Sequence, residues 1–265
     1  MKKSISDKFS RRNSSLMNSY IYLKRDFAGT FAELQNAGAL EENGSSQMIW
    51  STQQKFVLKV SAPGFGNIAC KRYRKIPKVA KHLFRYSPCG FEARNYRILQ
   101  DLGIPLPELL AVGDTRKFFV LKDCFIITGF ADGYRDGRDF FGTGILAQDQ
   151  TLQQEFLRRN LEMLAFCHQH GIWHRGFTPF NLLYKLKDSP DANGNALDII
   201  WIDVASCRKK LFVNPAQTAK DIGYLLRYFR FPDEIKMQYL EFYARKRRWS
   251  LKRLPLLLTL VNSWK

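Results

Sequence analysis

His170-Gly171-Ile172-Trp173-His174-Arg175-Gly176-Phe177-Thr178-Pro179-Phe180-Asn181 is the stretch on which the reading of this chain turns. It follows the pattern H-R-D-x-x-x-x-N, with His174, Arg175 and Asn181 at the template positions. In phosphoryl-transfer loops of this kind the Asp lies beside the attacking hydroxyl and the Asn binds a metal ion. Here Gly176 stands where the Asp belongs. Further on, Ile199-Ile200-Trp201-Ile202-Asp203-Val204-Ala205 reads as an apolar strand ending in an acid, the setting of a metal-binding Asp. The pair of motifs predicts a phosphoryl-transfer scaffold without its central acid.

The neighbouring sequence supplies elements that suit such a scaffold. Residues 152–168 form a clear amphipathic helix that leads into the loop. Residues 182–186 and 198–202 read as a hairpin around Asp191-Ala192-Asn193-Gly194. Residues 218–247 are helical, followed by a basic and leucine-rich tail. Towards the N-terminus, apolar runs at Met48-Ile49-Trp50, Phe56-Val57-Leu58-Lys59-Val60 and Ile68-Ala69-Cys70-Lys71-Arg72-Tyr73 predict antiparallel strands. The turn Pro63-Gly64-Phe65-Gly66 separates the last two. A helix is expected over 90–102, closed by Gly103 with Pro105 and Pro107 beyond it, and short strands over 118–121 and 124–127. The Gly- and Asp-rich segment 129–144 marks a boundary.

This order predicts an α+β, two-lobed protein-kinase-like fold, with a small antiparallel-sheet N-lobe and a mostly helical C-lobe. The expected division is an N-terminal extension over 1–45, an N-lobe over 46–128, and a C-lobe with a basic tail over 129–265.

Composition narrows the partners. Apolar residues make up 45% of the 265-residue chain, which excludes a disordered protein. The net charge of +18 far exceeds what solubility needs and points to an anionic partner. A basic stretch over 71–85 with interleaved aromatics is the feature closest to a nucleic-acid patch. No nucleic-acid fold signature accompanies it, so nucleic acid is set aside. The five cysteines form no C-x-x-C pair and read as reduced, buried thiols of a cytosolic protein. With no signal peptide and no spanning segment legible, the expected location is cytoplasmic or peripheral on a membrane face.

Phosphoryl transfer needs a lysine on the phosphates, ligands for Mg²⁺ and a group that positions the acceptor hydroxyl. Ile68-Ala69-Cys70-Lys71 matches V-A-I-K and nominates Lys71, with Lys59 as competitor. Its partner carboxylate on the next helix is expected to be Glu92, with Asn95 one turn later on the same face. Asn181 and Asp203 are the candidate metal pair. His174 and Arg175 are expected to brace the loop by hydrogen bonds. Gly64-Phe65-Gly66 reads as a hairpin turn, with no phosphate-covering glycine loop upstream.

With these motifs in order, the chain resembles the lipopolysaccharide kinase family, kinase-fold enzymes that phosphorylate Kdo or heptose in the lipopolysaccharide core. The likeness spans roughly residues 56–247. It rests on Cys70-Lys71-Arg72-Tyr73-Arg74, on residues 96–107 ending in Gly103-Ile104-Pro105-Leu106-Pro107, on residues 170–183 and 200–208, and on Asp221-Ile222-Gly223-Tyr224-Leu225-Leu226-Arg227. The resemblance implies ATP on Lys71, Mg²⁺ on Asn181 and Asp203, and a core sugar or other anionic glycolipid as acceptor. It also implies peripheral contact with anionic inner-leaflet lipids, for which the segment 245–254 has the composition of an interfacial anchor. Members of the family carry Asp where this chain has Gly176. The expectation is therefore an ATP-dependent sugar kinase of reduced rate. The alternative is a pseudokinase that binds ATP or a partner and regulates envelope or stress functions.

Overall fold

The computed structural model describes residues 17–73, 75–76 and 86–264. Most of the basic stretch over 71–85, and the polar run over 1–16, lie outside the described residues. The chain divides into two compact units. One comprises residues up to Arg94 together with Glu108–Phe130, and the other comprises Asn95–Pro107 together with Ala131–Lys265.

The first unit is built on a six-stranded antiparallel sheet in the order β1-β5-β6-β4-β3-β2. The strands are β1 (Met17–Leu23), β2 (Gln47–Ser51), β3 (Lys55–Ala62), β4 (Gly66–Tyr73), β5 (Leu109–Lys117) and β6 (Val120–Gly129). Alternation drives its assembly. Phe56, Leu58 and Val60 of β3 and Ile68 and Cys70 of β4 all point to one buried face. There they meet Phe27, Phe31 and Leu34, at and within helix α1 (Ala28–Asn36).

Residues 17–45, read from sequence as an extension, thus contribute a strand and a core-forming helix to this unit. An apolar-periodic patch over residues 20–31 is legible in the sequence, but the sheet against which Phe27, Phe31 and Leu34 are buried comes from distant strands. The segment 63–66 is the β3–β4 hairpin turn, with Gly64 and Gly66 left-handed and Phe65 packed edge-on against Phe27 at 4.9 Å.

The expected strand over 118–121 is corrected. Phe118 and Phe119 form the tip of the β5–β6 hairpin, at φ of 48° and 64°. Val120 and Leu121 begin a single long strand that continues through Lys122 and Asp123. A register irregularity between Thr115 and Arg116 leaves Lys122 as the extra residue of the longer strand. β5 itself escaped the sequence reading.

Helix α2 (Pro88–Asp101) carries the division between the units, which falls between Arg94 and Asn95. The second unit is mostly helical: α3 (Gln150–Gln169), α4 (Pro215–Leu226), α5 (Asp233–Lys246) and α6 (Leu254–Asn262). Small sheets complete it. β7 (Arg135–Asp136), β9 (Leu182–Leu186) and β10 (Leu197–Trp201) form one, while β8 (Ile172–Trp173) and β11 (Arg208–Lys209) form the other.

Local chemistry sets the helix ends. Asp149 accepts from Leu152 N–H at the start of α3, and Asn214 with Gln217 closes a capping box around Pro215 at the start of α4. The expected continuous helix over 218–247 is interrupted between α4 and α5, where Arg230 is left-handed and Pro232 cannot continue a helix.

In the segment 245–254, read as an interfacial anchor, Trp249 is half-buried and Leu254 buried, while Leu251 and most of the cations are exposed. Trp249 lies edge-on to Tyr243, with the guanidinium groups of Arg247 and Arg253 over its ring. Leu254, Leu257 and Val261 are buried, and α6 packs on α4 and α5. All five cysteines are buried and reduced. Among the described residues, no helix is long and apolar enough to cross a membrane.

Candidate functional site

In the first unit, period-two geometry places Lys71 on the face of β4 opposite Ile68 and Cys70. Its Nζ lies 2.9 Å and 3.1 Å from the two carboxylate oxygens of Glu92, one turn into α2. Glu92 is buried and Lys71 nearly so, which makes this an enclosed pair rather than a surface bridge. Enclosed pairs are strong when intact and costly when half-removed. The competitor Lys59 instead sits over the ring of Phe130 at 4.3 Å.

In the second unit, the loop after β8 is held from several sides. The Asp221 carboxylate, completely buried on α4, accepts from the backbone N–H groups of His174 at 3.0 Å and Arg175 at 2.8 Å. Those bonds hold Arg175 in the left-handed region at φ 69°, a conformation that costs about 1–2 kcal/mol unless it is held. Ser206 Oγ donates to the His174 carbonyl at 2.7 Å, and the Arg175 guanidinium lies over Trp173. The His174 ring is buried edge-on against Phe177 and Trp201. Burial pushes its pKa down despite Asp221 and Asp203 nearby, so the ring is neutral near pH 7.

Asn181 Nδ2 donates to the carbonyl of Gly176 at 3.0 Å, which reserves the amide oxygen for another partner. The Asn181 carbonyl accepts from Ile202 N–H at 2.9 Å, tying the loop to the residue just before Asp203. Asp203 itself is left-handed at φ 51°, ψ 54°, a backbone state that favours Gly and is retained by bulkier residues mainly at functional sites. Beyond it, Asn95 Nδ2 donates to the carbonyls of Val204 at 2.8 Å and Cys207 at 3.1 Å. Two oxygen donors from Asn181 and Asp203 suit a hard cation that takes most of its ligands from phosphate and water. Among the described residues, no cluster of three or more His, Cys, Asp or Glu could hold a metal on its own.

The structure thus brings Lys71 together with Glu92, and Asn181 together with the Asp203 segment. Asp221, Ser206 and Asn95 complete the support and were not assigned roles from sequence. Asp221 could have been found as an acid on an otherwise apolar helix face, since Ile222, Leu225 and Leu226 around it are buried.

His168 completes a buried chain. Its Nε2 faces Asp221 Oδ2 at 3.0 Å and its Nδ1 faces the Tyr243 hydroxyl at 2.6 Å. A neutral ring satisfies both, donating to the carboxylate and accepting from the phenol. Burial lowers its pKa from the ordinary 6.5, outweighing the upward pull of Asp221. For His168 and His174 the unfolded chain takes up protons near pH 6.5 while the folded chain does not. Stability should therefore fall as pH drops below about 6.5 and level off below the folded values. Melting curves between about pH 7.5 and 5.5 check this. A melting temperature that is flat or rising on acidification would contradict it.

The model of the lipopolysaccharide kinase (Kdo/WaaP) family matches residues 31–249. The chain belongs to this family. Among solved structures, that of WaaP in complex with acyl carrier protein is similar at a TM-score of 0.65 and 16% identity, over 92% of this chain and 96% of that one. At that identity the likeness is one of fold, and it is the protein-kinase-like fold expected from the loop. The structure of WbdD with the kinase inhibitor LY294002 is similar at a TM-score of 0.46 and 19% identity, over 81% of this chain and 44% of that one. No curated protein matches this chain. Within the family match lie all the residues discussed above, from Lys71 to Asp221.

Proposed function

We propose that this chain is an ATP-dependent kinase for a sugar of the lipopolysaccharide core, Kdo or heptose, working at a reduced rate because Gly176 replaces the general base. The observation that supports it is that the other parts are each intact: the Lys71–Glu92 pair in the first unit, and in the second a loop in which Asn181 is held by Gly176 and the backbone is braced by Asp221.

Bound Mg·ATP would supply the transferable phosphoryl group and a cation to neutralise its charge. Lys71, steadied by Glu92, holds phosphate oxygens by charge and direction. Asn181, its nitrogen occupied by the Gly176 carbonyl, and Asp203 would hold the cation through their side-chain oxygens. Neutral, buried His174 moves no proton and serves to shape the loop. At position 176 nothing accepts the acceptor's proton. General-base assistance is worth about 10²–10⁴-fold, whereas positioning and charge stabilisation supply the larger share. Slow turnover therefore survives the loss.

The second reading, a pseudokinase that binds nucleotide and regulates through a partner, is favoured by that same glycine. The acceptor meets anionic lipid at the membrane face, and the basic surface suits it.

Saturating Mg·ATP should raise the melting temperature by about 5 °C, since a ligand at a hundredfold over its Kd stabilises by roughly 2.7 kcal/mol. Asp203→Ala should abolish the shift and Lys71→Ala should reduce it. ATP consumption with a lipopolysaccharide-core acceptor then separates the readings: slow turnover supports the kinase, and binding without turnover supports the pseudokinase. No shift with any nucleotide and Mg²⁺ or Mn²⁺ overturns both.

A further inference from the structure

We propose that Lys209-Lys210-Leu211-Phe212, running from the end of β11 toward α4, is an interfacial insertion loop that seats the second unit on an anionic bilayer surface. The inference rests on the reading above for its purpose, since a glycolipid acceptor lies at such a surface. Its test does not depend on that reading.

Leu211 is 96% exposed and Phe212 68% exposed, side by side. Single exposed apolar residues are ordinary on protein surfaces. This pair differs because the chain is pinned on both sides of it. Lys210 N–H donates to the Gly171 carbonyl at 2.7 Å, and Lys209 Nζ donates to the His170 carbonyl. Gly171 is left-handed at φ 72°, and a Cβ there would lie 2.3 Å from the Lys210 carbonyl oxygen, so the two backbones touch. On the other side Val213 is buried, its carbonyl accepts from Arg247, and Asn214 caps α4. Only Leu211 and Phe212 remain between the pins. They cannot fold back onto the core, so the fold itself enforces their exposure.

Immediately before them stand the exposed Lys209 and Lys210. Apolar side chains that enter the acyl boundary, flanked by cations that meet anionic headgroups, make up an interfacial anchor. The chain's +18 charge complements the same surface. β11 pairs with β8, and His174 follows β8 directly, so the pins that hold the tip outward also run to the phosphoryl-transfer loop. Seating this tip would hold that loop at the depth of a lipid-borne acceptor.

The test is sedimentation of the full chain with vesicles of phosphatidylcholine alone and with added phosphatidylglycerol, at low and high salt. Wild type should bind the anionic vesicles, and salt should release it. Leu211→Ser with Phe212→Ser should weaken binding about tenfold or more, with the melting temperature unchanged because neither side chain packs on the body. Lys210→Glu should weaken it as well. A control, Phe118→Ser with Phe119→Ser, addresses the exposed tip of the β5–β6 hairpin in the other unit. The proposal is overturned if wild type binds neither vesicle, if it binds both equally, or if only the control variant loses binding. The Mg·ATP melting shift is read on the same samples. Vesicle binding that depends on Leu211 and Phe212 without any nucleotide shift upholds the loop and removes the kinase reading.

Discussion

Gly176→Asp should raise phosphotransfer by about 10²-fold or more, the lower end of what a positioned general base contributes. The backbone can take the side chain. Gly176 is not among the left-handed residues of the loop, unlike its neighbour Arg175. A Cβ built on it meets Ser206 Oγ at 3.1 Å and otherwise has room. That oxygen belongs to a short side chain bonded to the His174 carbonyl, and a shift of a few tenths of an ångström would relieve the contact. The melting temperature should therefore change little. Gly176→Asn adds the same bulk without the basic oxygen and should leave the rate near wild type. Turnover would be measured with Mg·ATP and a lipopolysaccharide-core acceptor for all three proteins. Fast wild-type turnover that a folded Asp variant leaves unchanged or lowers would mean that position 176 does not face the acceptor.

Asp221→Ala should be the most damaging single change in the second unit. The carboxylate, itself fully buried, accepts from two backbone N–H groups of the loop and from His168. Removing it strands those donors, each at a cost of about 1–3 kcal/mol, for a loss of roughly 3–5 kcal/mol after relaxation. In a chain of this size that lowers the melting temperature by about 10 °C. Arg175 would also lose what keeps its backbone left-handed, so the nucleotide-dependent shift should shrink even at temperatures where the variant is folded. Asp221→Asn keeps one acceptor oxygen and should fall between. A melting temperature for Asp221→Ala within about 2 °C of wild type would show that the loop does not hang on this residue.

The contrast between these two positions explains what the sequence made legible. The H-R-x-x-x-x-x-N spacing around Gly176 and the strand leading to Asp203 are local patterns, and a local pattern can be read without the fold. The same holds for the β3–β4 hairpin, whose Gly64 and Gly66 take the left-handed states a tight turn requires. Asp221 lies nearly fifty residues from the loop it braces, and nothing along the chain marks that contact. Asn95 illustrates the same limit. The sequence places it one turn after Glu92 on the same face and gives it no role, whereas its amide serves the turn after Asp203. At Phe118 and Phe119 the failure was one of propensity. Two phenylalanines favour a strand, yet the register of β5 against β6 makes them the turn. In the tail over 245–254 composition alone does not say which residues pack: Trp249 lies against Tyr243 and Leu254 is buried, whereas Leu251 and most of the cations stay exposed.

The five buried cysteines carry one practical meaning. Burial pushes the Cys70 thiol up to about 12 and drives Cys89, Cys167 and Cys207 upward as well, so thiolate is scarce where reagent cannot enter. In the folded protein these sulfurs behave as hydrocarbon. Alkylating labels and mild oxidants have nothing to attack, and any reactive thiol on this chain would be one placed there by design.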